Sequence, residues 1–493
     1  MKKENTGSYS HVLKYTGLFG GVQGLNILVG IVRNKLVAMI LGPEGMGLIS
    51  LFNSTINLLS NSTNLGISMS AVRNISEVFD SRDEKRICHV VKMIRSWSLL
   101  TALVGVLLCI VLSPFLDRWT FGWGNHTLHF VLLSPIVGMM AITGGETAIL
   151  KGARQLKRLA AVSVYNVVAA LFISVPLYYF FGAAAIVPSL VAMALAQMLL
   201  TIRYSYKLFP PKMSFHKALL GEGMNMVRLG IAFVLAGILG SGAEFVIRSF
   251  LSYTSSLATV GLYSAGYMMT MTYAGMVFSA METDFFPRLS AVATDVNAAN
   301  TLVNRQAEVS LLLISPLLVF FTISLPILMP LLFSGKFTPV VGMMQITVLA
   351  MYFRALKLPV AYMPLARGDS RSYLLLEGIY DVALVTLVIV CFRRWGITGC
   401  GVAITTAGIL DFLVIHAYAH WKYGYCISRR VRRSAFMQLP FGVLAFLVTF
   451  LKTPWLYWPL GILLGLLSLW VSIYLLRKKT HLWNALMARF RQN

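Results

Sequence analysis

Long apolar runs dominate the hydropathy pattern of this chain, and short polar segments separate them. Each run is roughly 20 residues long, which is the length of helix that crosses the hydrocarbon core of a bilayer. The runs are continuous and do not alternate, which favours helices over a closed barrel. The pattern predicts about fourteen membrane-spanning helices, at 17–41, 47–71, 91–113, 128–150, 159–181, 183–204, 228–250, 258–281, 308–333, 340–365, 373–392, 398–420, 436–451 and 455–476.

Composition supports the same interpretation. The 493 residues are 57% hydrophobic and 12% charged, and their mean hydropathy is +0.74. A soluble domain carries about 25% charged residues. We therefore predict an all-α polytopic membrane protein.

The net charge of +24 would suggest nucleic acid as the partner of a soluble protein. Here most cations fall in alternate loops, including "KGARQLKR", "KLFPPKMSFHK" and "KYGYCISRRVRR", and in the tail after 476. This bias is typical of loops that stay in the cytoplasm. We therefore expect a multi-pass protein of the bacterial inner membrane, with both termini cytoplasmic and no nucleic-acid partner. The segment "MKKENTGSYSHVLKYTG" lacks the apolar core of a signal peptide, so we expect the first span to be retained.

The chain repeats itself at an offset near 215 residues. "GMGLISLFNSTINLL" from Gly45 matches "TVGLYSAGYMMTMTY" from Thr259, and "GAAAIVPSLVAMAL" (182–195) matches "GITGCGVAITTAGI" (396–409). Two six-helix bundles that run the same way are typical of transporters, whose substrate site lies between the halves. The predicted organisation is an N-terminal lobe (1–206), a cytoplasmic linker (207–227), a C-terminal lobe (228–425), and a helix hairpin with a basic tail (426–493).

Several cations lie inside the predicted spans, where each costs about 2.5–3.5 kcal/mol on insertion scales. The first span contains Arg33 and Lys35, and the repeat offset carries Arg33 to Arg248. Arg354 and Lys357 are three residues apart, hence on one helix face. Because few acids are available to neutralise them, we expect these five residues to line a cationic cavity for an anionic substrate. A diphosphate suits the planar fork of Arg and the point charge of Lys.

Other polar residues within the spans have two readings each. The acids are expected either to form internal ion pairs, as Glu244 and Arg248 would, or to couple transport to H+ or Na+. Tyr and Asn side chains are expected either to contact sugars or to form interhelical hydrogen bonds. The acids are Glu146, Glu244, Glu377, Asp381 and Asp411, with Glu282 and Asp284 at an inner helix end; the sugar-contact candidates are Asn53, Asn57, Asn61, Tyr267 and Tyr273.

Catalytic motifs are sparse. His126 and His129 in "HTLH" form a lone pair without a nearby carboxylate, so a solvated loop is the expected reading. No metal signature or nucleotide-binding loop is visible in the sequence, so we expect neither an enzyme nor a bound cofactor. Cys391 and Cys400 flank one short outer loop. A disulfide between them is one alternative, and two inert thiols are the default expectation.

The stretch "VRNKLVAMILGPEGMGLISLF" resembles Wzx-type flippases, the polysaccharide-transporter branch of the MATE-like (MOP) superfamily. "ILKGARQ" (149–155), "LLFSGKFTPVVGMMQ" (331–345) and "LKLPVAYMPLARGDSRSYLLLEG" (356–378) also fit, so that the resemblance covers about 10–425. By position, Lys35, Arg248 and Lys357 match basic residues of the family. The resemblance implies two lobes around a basic cavity, and export of an undecaprenyl-diphosphate-linked oligosaccharide such as an O-antigen, capsule or exopolysaccharide unit. Its implied partners are this lipid-linked substrate, membrane lipids and other polysaccharide-assembly proteins.

Three alternatives stay open at this stage. The last hairpin, 436–476, also occurs in peptidoglycan-precursor flippases, which leaves lipid II as a substrate. A multidrug exporter of the same superfamily is a second alternative, although exporters of cations suit an acidic cavity better. A membrane ligase or polymerase is the third, and such enzymes tend to need a long outer loop or a catalytic constellation.

Overall fold

The structure is a computed structural model that describes residues 3–80, 83–122, 125–211, 213, 217–273, 275–451 and 453–477, without the side chains at 3–21, 80, 217–220, 225–226, 228–233, 273, 276–277 and 279–284. Every regular element in these ranges is helical, as the apolar pattern predicts. The α-helices are α1 (Lys3–Thr63), α2 (Ile67–Asp80), α3 (Glu84–Thr120), α4 (Thr127–Gly152), α5 (Leu156–Phe181), α6 (Ile186–Tyr206), α7 (Lys217–Thr254), α8 (Leu257–Tyr267), α9 (Met276–Ala291), α10 (Val296–Leu332), α11 (Val341–Ala366), α12 (Ser370–Tyr423), α13 (Arg429–Val448) and α14 (Pro454–Arg477).

Ten helical segments of the described chain are long and apolar enough to cross a membrane. Three of them contain a glycine in the left-handed region that divides two predicted spans: Gly42 (φ 65°), Gly182 (φ 57°) and Gly396 (φ 59°). A straight helix over 22–63 would be about 63 Å long, twice the hydrocarbon thickness. Instead, Arg33 and Asn53 from its two arms line one cavity, so the chain reverses at Gly42. A side chain with a Cβ is strained at such a φ, which explains the glycines.

Two predicted spans differ in detail. The predicted span 47–71 ends early, because Leu65 (φ 48°) and Gly66 (φ 69°) take left-handed conformations and break the helix before α2 begins. The predicted span 258–281 is α8 and α9 joined by a π-helical turn, Met268–Tyr273. With these segments the structure is an all-α polytopic membrane protein.

The backbone repeats at an offset of 214 residues. Arg154 (φ 54°) after α4 corresponds to Gly368 (φ 70°) after α11, and Gly182 corresponds to Gly396. The helices between these points, α5 and the first arm of α12, therefore have equal lengths. This recurrence supports the duplication inferred from the sequence.

The turns after α4 and α11 also form the same hydrogen bonds. The amide of Gln155 donates to the carbonyl of Leu150 (2.9 Å), and the amide of Asp369 donates to that of Pro364 (2.8 Å). Such bonds satisfy carbonyls that the helix end leaves without partners. The register of the repeat is thus fixed at 214 by backbone geometry.

The chain divides by its contacts into two units, 1–261 with 332–334, and 262–331 with 335–493. The first unit has a core between α2, α3 and α4, including Ile94 and Trp97. The second has one core between α9, α10, α11 and α12, including Phe285 and Val360, and a smaller one where α13 and α14 pack on α10. The first unit includes α7, which the predicted organisation places in the second lobe; the predicted lobes stay a prediction.

Candidate functional site

Arg33 lies within the membrane-spanning part of α1 and is half-buried. Its Nε donates to Ser174 Oγ on α5 (2.9 Å), and one terminal nitrogen donates to Met193 Sδ on α6 (3.4 Å). Both partners are neutral, and within the described chain Arg33 forms no ion pair. The guanidinium therefore carries a charge at membrane depth without a counterion among the described residues.

Arg33 opens into a cavity of about 550 Å³ inside the first unit. Its walls come from both arms of α1 and from α2, α4, α5 and α6. None of the lining residues is a carboxylate, and one further cation, Lys151 at the end of α4, belongs to them. The polar lining consists of Arg33, Asn53, Asn57, Ser68, Thr143, Thr147, Lys151, Asn166 and Gln197.

The chemistry of this cavity suits an anion with hydroxyl groups. A guanidinium has five N–H donors, and two of them are used by Ser174 and Met193. The remaining donors are available to an oxyanion, for which the planar fork is well matched. The amides of Asn53, Asn57 and Gln197 can donate to and accept from hydroxyl groups.

The repeat places the predicted partner of Arg33 differently. At the observed offset of 214, α8 begins at Leu257 where the second arm of α1 begins at Pro43. At this offset Arg248 aligns with Asn34, and the equivalence of Arg33 and Arg248 stays a prediction.

Arg248 forms an ion pair within its own helix. A terminal nitrogen contacts Glu244 Oε2 (3.0 Å), and the Arg248 side chain is 12% exposed. Its Nε donates to Ser50 Oγ on α1 (2.8 Å). The internal ion pair expected for Glu244 is thus present. Neither Arg248 nor Lys35, which is half-buried on α1, is among the residues lining the cavity of Arg33.

The second unit contains a cluster of opposite charges. Lys357 on α11 forms an ion pair with the buried Asp411 on α12, and its ammonium lies 4.8 Å from the ring centre of Tyr380. Glu377 lies within electrostatic range of Lys357, Asp411 and Arg354. Arg354 donates to the Met271 carbonyl (3.2 Å). Asp411 therefore neutralises Lys357, whereas no described carboxylate pairs with Arg33.

This cluster occupies positions that correspond to the cavity of the first unit. At the offset of 214, neutral residues of the first unit are replaced by charged or aromatic residues of the second. The corresponding pairs are Asn53 and Tyr267, Met140 and Arg354, Thr143 and Lys357, Asn166 and Tyr380, and Gln197 and Asp411. The two halves have thus diverged at one set of positions, which is neutral in the first half and contains an ion pair in the second.

The remaining residues predicted from the sequence lie at several different places in the structure. Asn53 and Asn57 line the cavity, whereas the Asn61 amide donates to the Gly237 carbonyl between α1 and α7 (3.4 Å). Tyr267 stacks on Tyr263, and Asp381 is buried on α12. The side chains of Tyr273, Glu282 and Asp284 lie outside the described residues. Cys391 and Cys400 are buried free thiols.

Glu146 belongs to a buried network that the sequence did not reveal. Arg95 Nε and a terminal nitrogen contact the two carboxylate oxygens (2.8 and 3.2 Å), and the side chains are 2% and 3% exposed. Arg95 also donates to the carbonyls of Phe209 and Pro210 after α6. The sequence missed Arg95 because its partner is 51 residues away. Ser174 and Met193 were also missed, because neutral residues in an apolar run give no signal in the sequence. Lys151 was missed as well, although it lies in the motif "ILKGARQ" that was quoted for the family resemblance.

A family model described as polysaccharide biosynthesis protein matches residues 12–293, more than half of the chain. The chain belongs to this family. The membership confirms the predicted resemblance, which was expected to run over about 10–425. None of the curated proteins matches the sequence.

Solved structures of the MOP superfamily share this family member's fold. The lipid II flippase MurJ in an inward closed conformation is 14% identical, with a TM-score of 0.73 over 94% of this chain and 99% of that one. An inward-facing multidrug resistance MATE transporter is 15% identical, with a TM-score of 0.68 over 81% and 94%. A MOP transporter from Pyrococcus furiosus, whose binding pocket has reverse polarity, is 15% identical, with a TM-score of 0.55 over 83% and 93%.

Proposed function

We propose that this protein is a flippase that moves an undecaprenyl-diphosphate-linked oligosaccharide from the cytoplasmic to the periplasmic leaflet by alternating access. The observation that carries the proposal is Arg33, a cation at membrane depth whose protein partners are neutral and whose cavity wall contains no carboxylate. Intramembrane charges are costly and mark substrate pathways. An anionic substrate would supply the missing counterion.

The cavity suits a lipid headgroup better than a whole lipid. Its volume of about 550 Å³ is in the range of pockets that hold small ligands. A phosphate or acidic group would bind Arg33 and Lys151, while Asn and Gln amides would bind sugar hydroxyls. The polyprenyl chain would stay in the bilayer, where it needs no protein site.

The direction of transport follows from charge. A diphosphate carries about two negative charges, and each is worth about 2.3 kcal/mol per 100 mV. A potential that is negative inside thus favours export by roughly 4–5 kcal/mol. Should an H+ or Na+ cycle contribute, Glu377 and Asp411 are the carboxylates that would take part, since they lie beside Lys357.

Lipid II is the second candidate substrate. The match to the lipid II flippase covers 94% of this chain, whereas the match to the multidrug transporter covers 81%. The longer match favours a lipid-linked substrate. A multidrug exporter of cations is disfavoured by Arg33 and Lys151, which would repel such drugs from the cavity.

The test is made on lipids in cells. In a host lacking this protein, undecaprenyl-linked sugars are extracted and identified by mass, with rescue by the wild type, by Arg33→Gln, or by Arg203→Gln. Arg203 is a matched control because it is an exposed arginine on α6 outside the cavity. We expect a diphosphate-linked oligosaccharide to accumulate and to be cleared by the wild type and Arg203→Gln only. Accumulation of lipid II would select the second candidate, and no accumulation of any lipid-linked sugar would refute both.

A further inference from the structure

The second unit contains a cavity of about 1030 Å³ that is separate from both charged sites described above. It lies between the N-terminal part of α10, the start of α13 and the last turn of α14, on the face that carries the cation-rich loops. Its lining includes Asn304, Arg305, Arg429, Arg430 and Leu476. None of these residues lines the cavity of Arg33.

Asparagine side chains fix the floor of this cavity. The Nδ2 of Asn304 donates to the carbonyl of Cys426 (2.9 Å), and its Oδ1 accepts from the amide of Ser428 (2.8 Å). Asn300 Oδ1 accepts from the amide of Cys426 (3.3 Å). The loop before α13 is therefore held against α10, and the cavity is preformed.

The mouth of the cavity is cationic. Arg305, Arg429 and Arg430 are exposed, and no ion pair joins any of them to another described residue. Arg429 and Arg430 occupy the first turn of α13, where backbone N–H groups without helical acceptors add positive potential. The carboxylate in the wall, Glu308, is 7% exposed and accepts from the Ser434 hydroxyl (3.0 Å).

Part of the remaining wall is apolar. Val309, Leu312 and Leu476 belong to the lining, and all three lie in the membrane-spanning helices α10 and α14. An adjoining cavity of about 620 Å³ shares Thr301 and Arg305 with the first, which widens the basic face. A cationic mouth beside an apolar wall fits an amphipathic anion.

We propose that this cavity binds an anionic phospholipid, with its phosphate at Arg305, Arg429 and Arg430 and its acyl chains along Leu312 and Leu476. Basic pockets at the ends of membrane helices are suited to lipid headgroups. The chain's own tail is a poor occupant, because residues 478–493 add four cations and no acid. The site is independent of the transport proposal.

The experiment uses the full-length protein, purified in detergent and stripped of lipid. Dioleoylphosphatidylglycerol and zwitterionic dioleoylphosphatidylcholine are added separately, and bound lipid is counted by native mass spectrometry. Arg429→Gln/Arg430→Gln is compared with Arg432→Gln/Arg433→Gln. The second pair is a matched control, since it removes the same charge from the same helix but lies outside the cavity lining.

We expect the wild type and the control pair to bind phosphatidylglycerol in preference to phosphatidylcholine. Loss of Arg429 and Arg430 should weaken phosphatidylglycerol binding about thirtyfold, which is about 2 kcal/mol at 1.4 kcal/mol per tenfold. Arg305→Gln, on a different helix, should weaken it about fivefold for the loss of one cation. All variants should melt together in the absence of lipid.

Three results would overturn the site. The two double variants could bind phosphatidylglycerol equally, which would mean that α13 attracts lipid only by its net charge. Phosphatidylcholine could bind the wild type as well as phosphatidylglycerol, which would remove the role of the headgroup charge. Inorganic pyrophosphate could displace phosphatidylglycerol completely at low ionic strength, which would assign the arginines to a soluble anion instead of a lipid.

Discussion

Replacing Arg33 by Gln should abolish most transport without destabilising the protein. The substitution removes the charge but leaves a polar side chain of similar reach. Arg33 lies half-buried between Ser174 and Met193. A residue retained for packing should destabilise the fold when it is changed, whereas a residue retained for a ligand should not.

The change in the free energy of unfolding caused by Arg33→Gln has two opposing contributions. Removing a cation from membrane depth relieves about 2.5–3.5 kcal/mol. Losing the charge-assisted hydrogen bond to Ser174 costs about 1.5–3 kcal/mol, and losing the bond to the weak acceptor Met193 costs about 1 kcal/mol. The variant should therefore be as stable as the wild type to within about 1 kcal/mol.

The loss of transport in Arg33→Gln is estimated from the N–H donors that Arg33 does not use within the protein. Two charge-assisted hydrogen bonds to an oxyanion are worth about 1.5–3 kcal/mol each. Even the lower sum, about 3 kcal/mol, corresponds to roughly a hundredfold loss at limiting substrate. Arg33→Lys keeps the charge but loses the fork, so we expect roughly a tenfold loss.

The assay pairs two measurements on the same variants. Melting temperature is measured in detergent, and clearance of the accumulated lipid-linked oligosaccharide is measured in cells at matched protein levels. Arg203→Gln is the control for each. A variant Arg33→Gln that melts well below the wild type, or that clears the lipid at the wild-type rate, would refute the ligand role.

Three further predictions concern the charged groups elsewhere. Glu146→Gln should lower the free energy of unfolding by about 3–5 kcal/mol, because it strands the buried Arg95; its melting temperature checks this. Asp411→Asn should destabilise by about 2–4 kcal/mol by stranding Lys357, and adding Lys357→Gln should recover most of the loss in a double-mutant cycle. Burial and the neighbouring His129 lower the pKa of His126 below its usual value, so the unfolded chain takes up a proton first as pH falls through about 6.5. Stability should then decrease between about pH 7.5 and 5.5, and less so in His126→Gln, as melting temperatures at the two pH values would show.

Each of these predictions has an outcome that contradicts it. A normal melting temperature for Glu146→Gln would mean that the carbonyls of Phe209 and Pro210, which already accept from Arg95, are enough to stabilise its charge. Additive effects of Asp411→Asn and Lys357→Gln would mean that the pair does not interact. Equal pH dependence with and without His126 would assign the acid sensitivity to other groups.

The sequence by itself determined the class of protein and the order of its helices. Apolar runs of bilayer length predict spans because the cost of placing polar residues in hydrocarbon is local and additive along the chain. The duplication was also visible, since equivalent loops need equivalent residues, as at Gly182 and Gly396. Arg33 could also be recognised from the sequence, because an arginine inside an apolar run costs free energy in the bilayer whatever packs against it.

Only the tertiary structure decided which charges are neutralised. Arg95 meets Glu146, and Lys357 meets Asp411, across 51 and 54 residues of sequence, so no local pattern predicts these pairs. The register of the repeat also came from backbone geometry at helix ends, as at Gly182 and Gly396. A charge in a membrane is stabilised by whatever packs against it. Packing joins helices distant in the chain, and among the described residues it gives Arg33 a polar cavity without an acid.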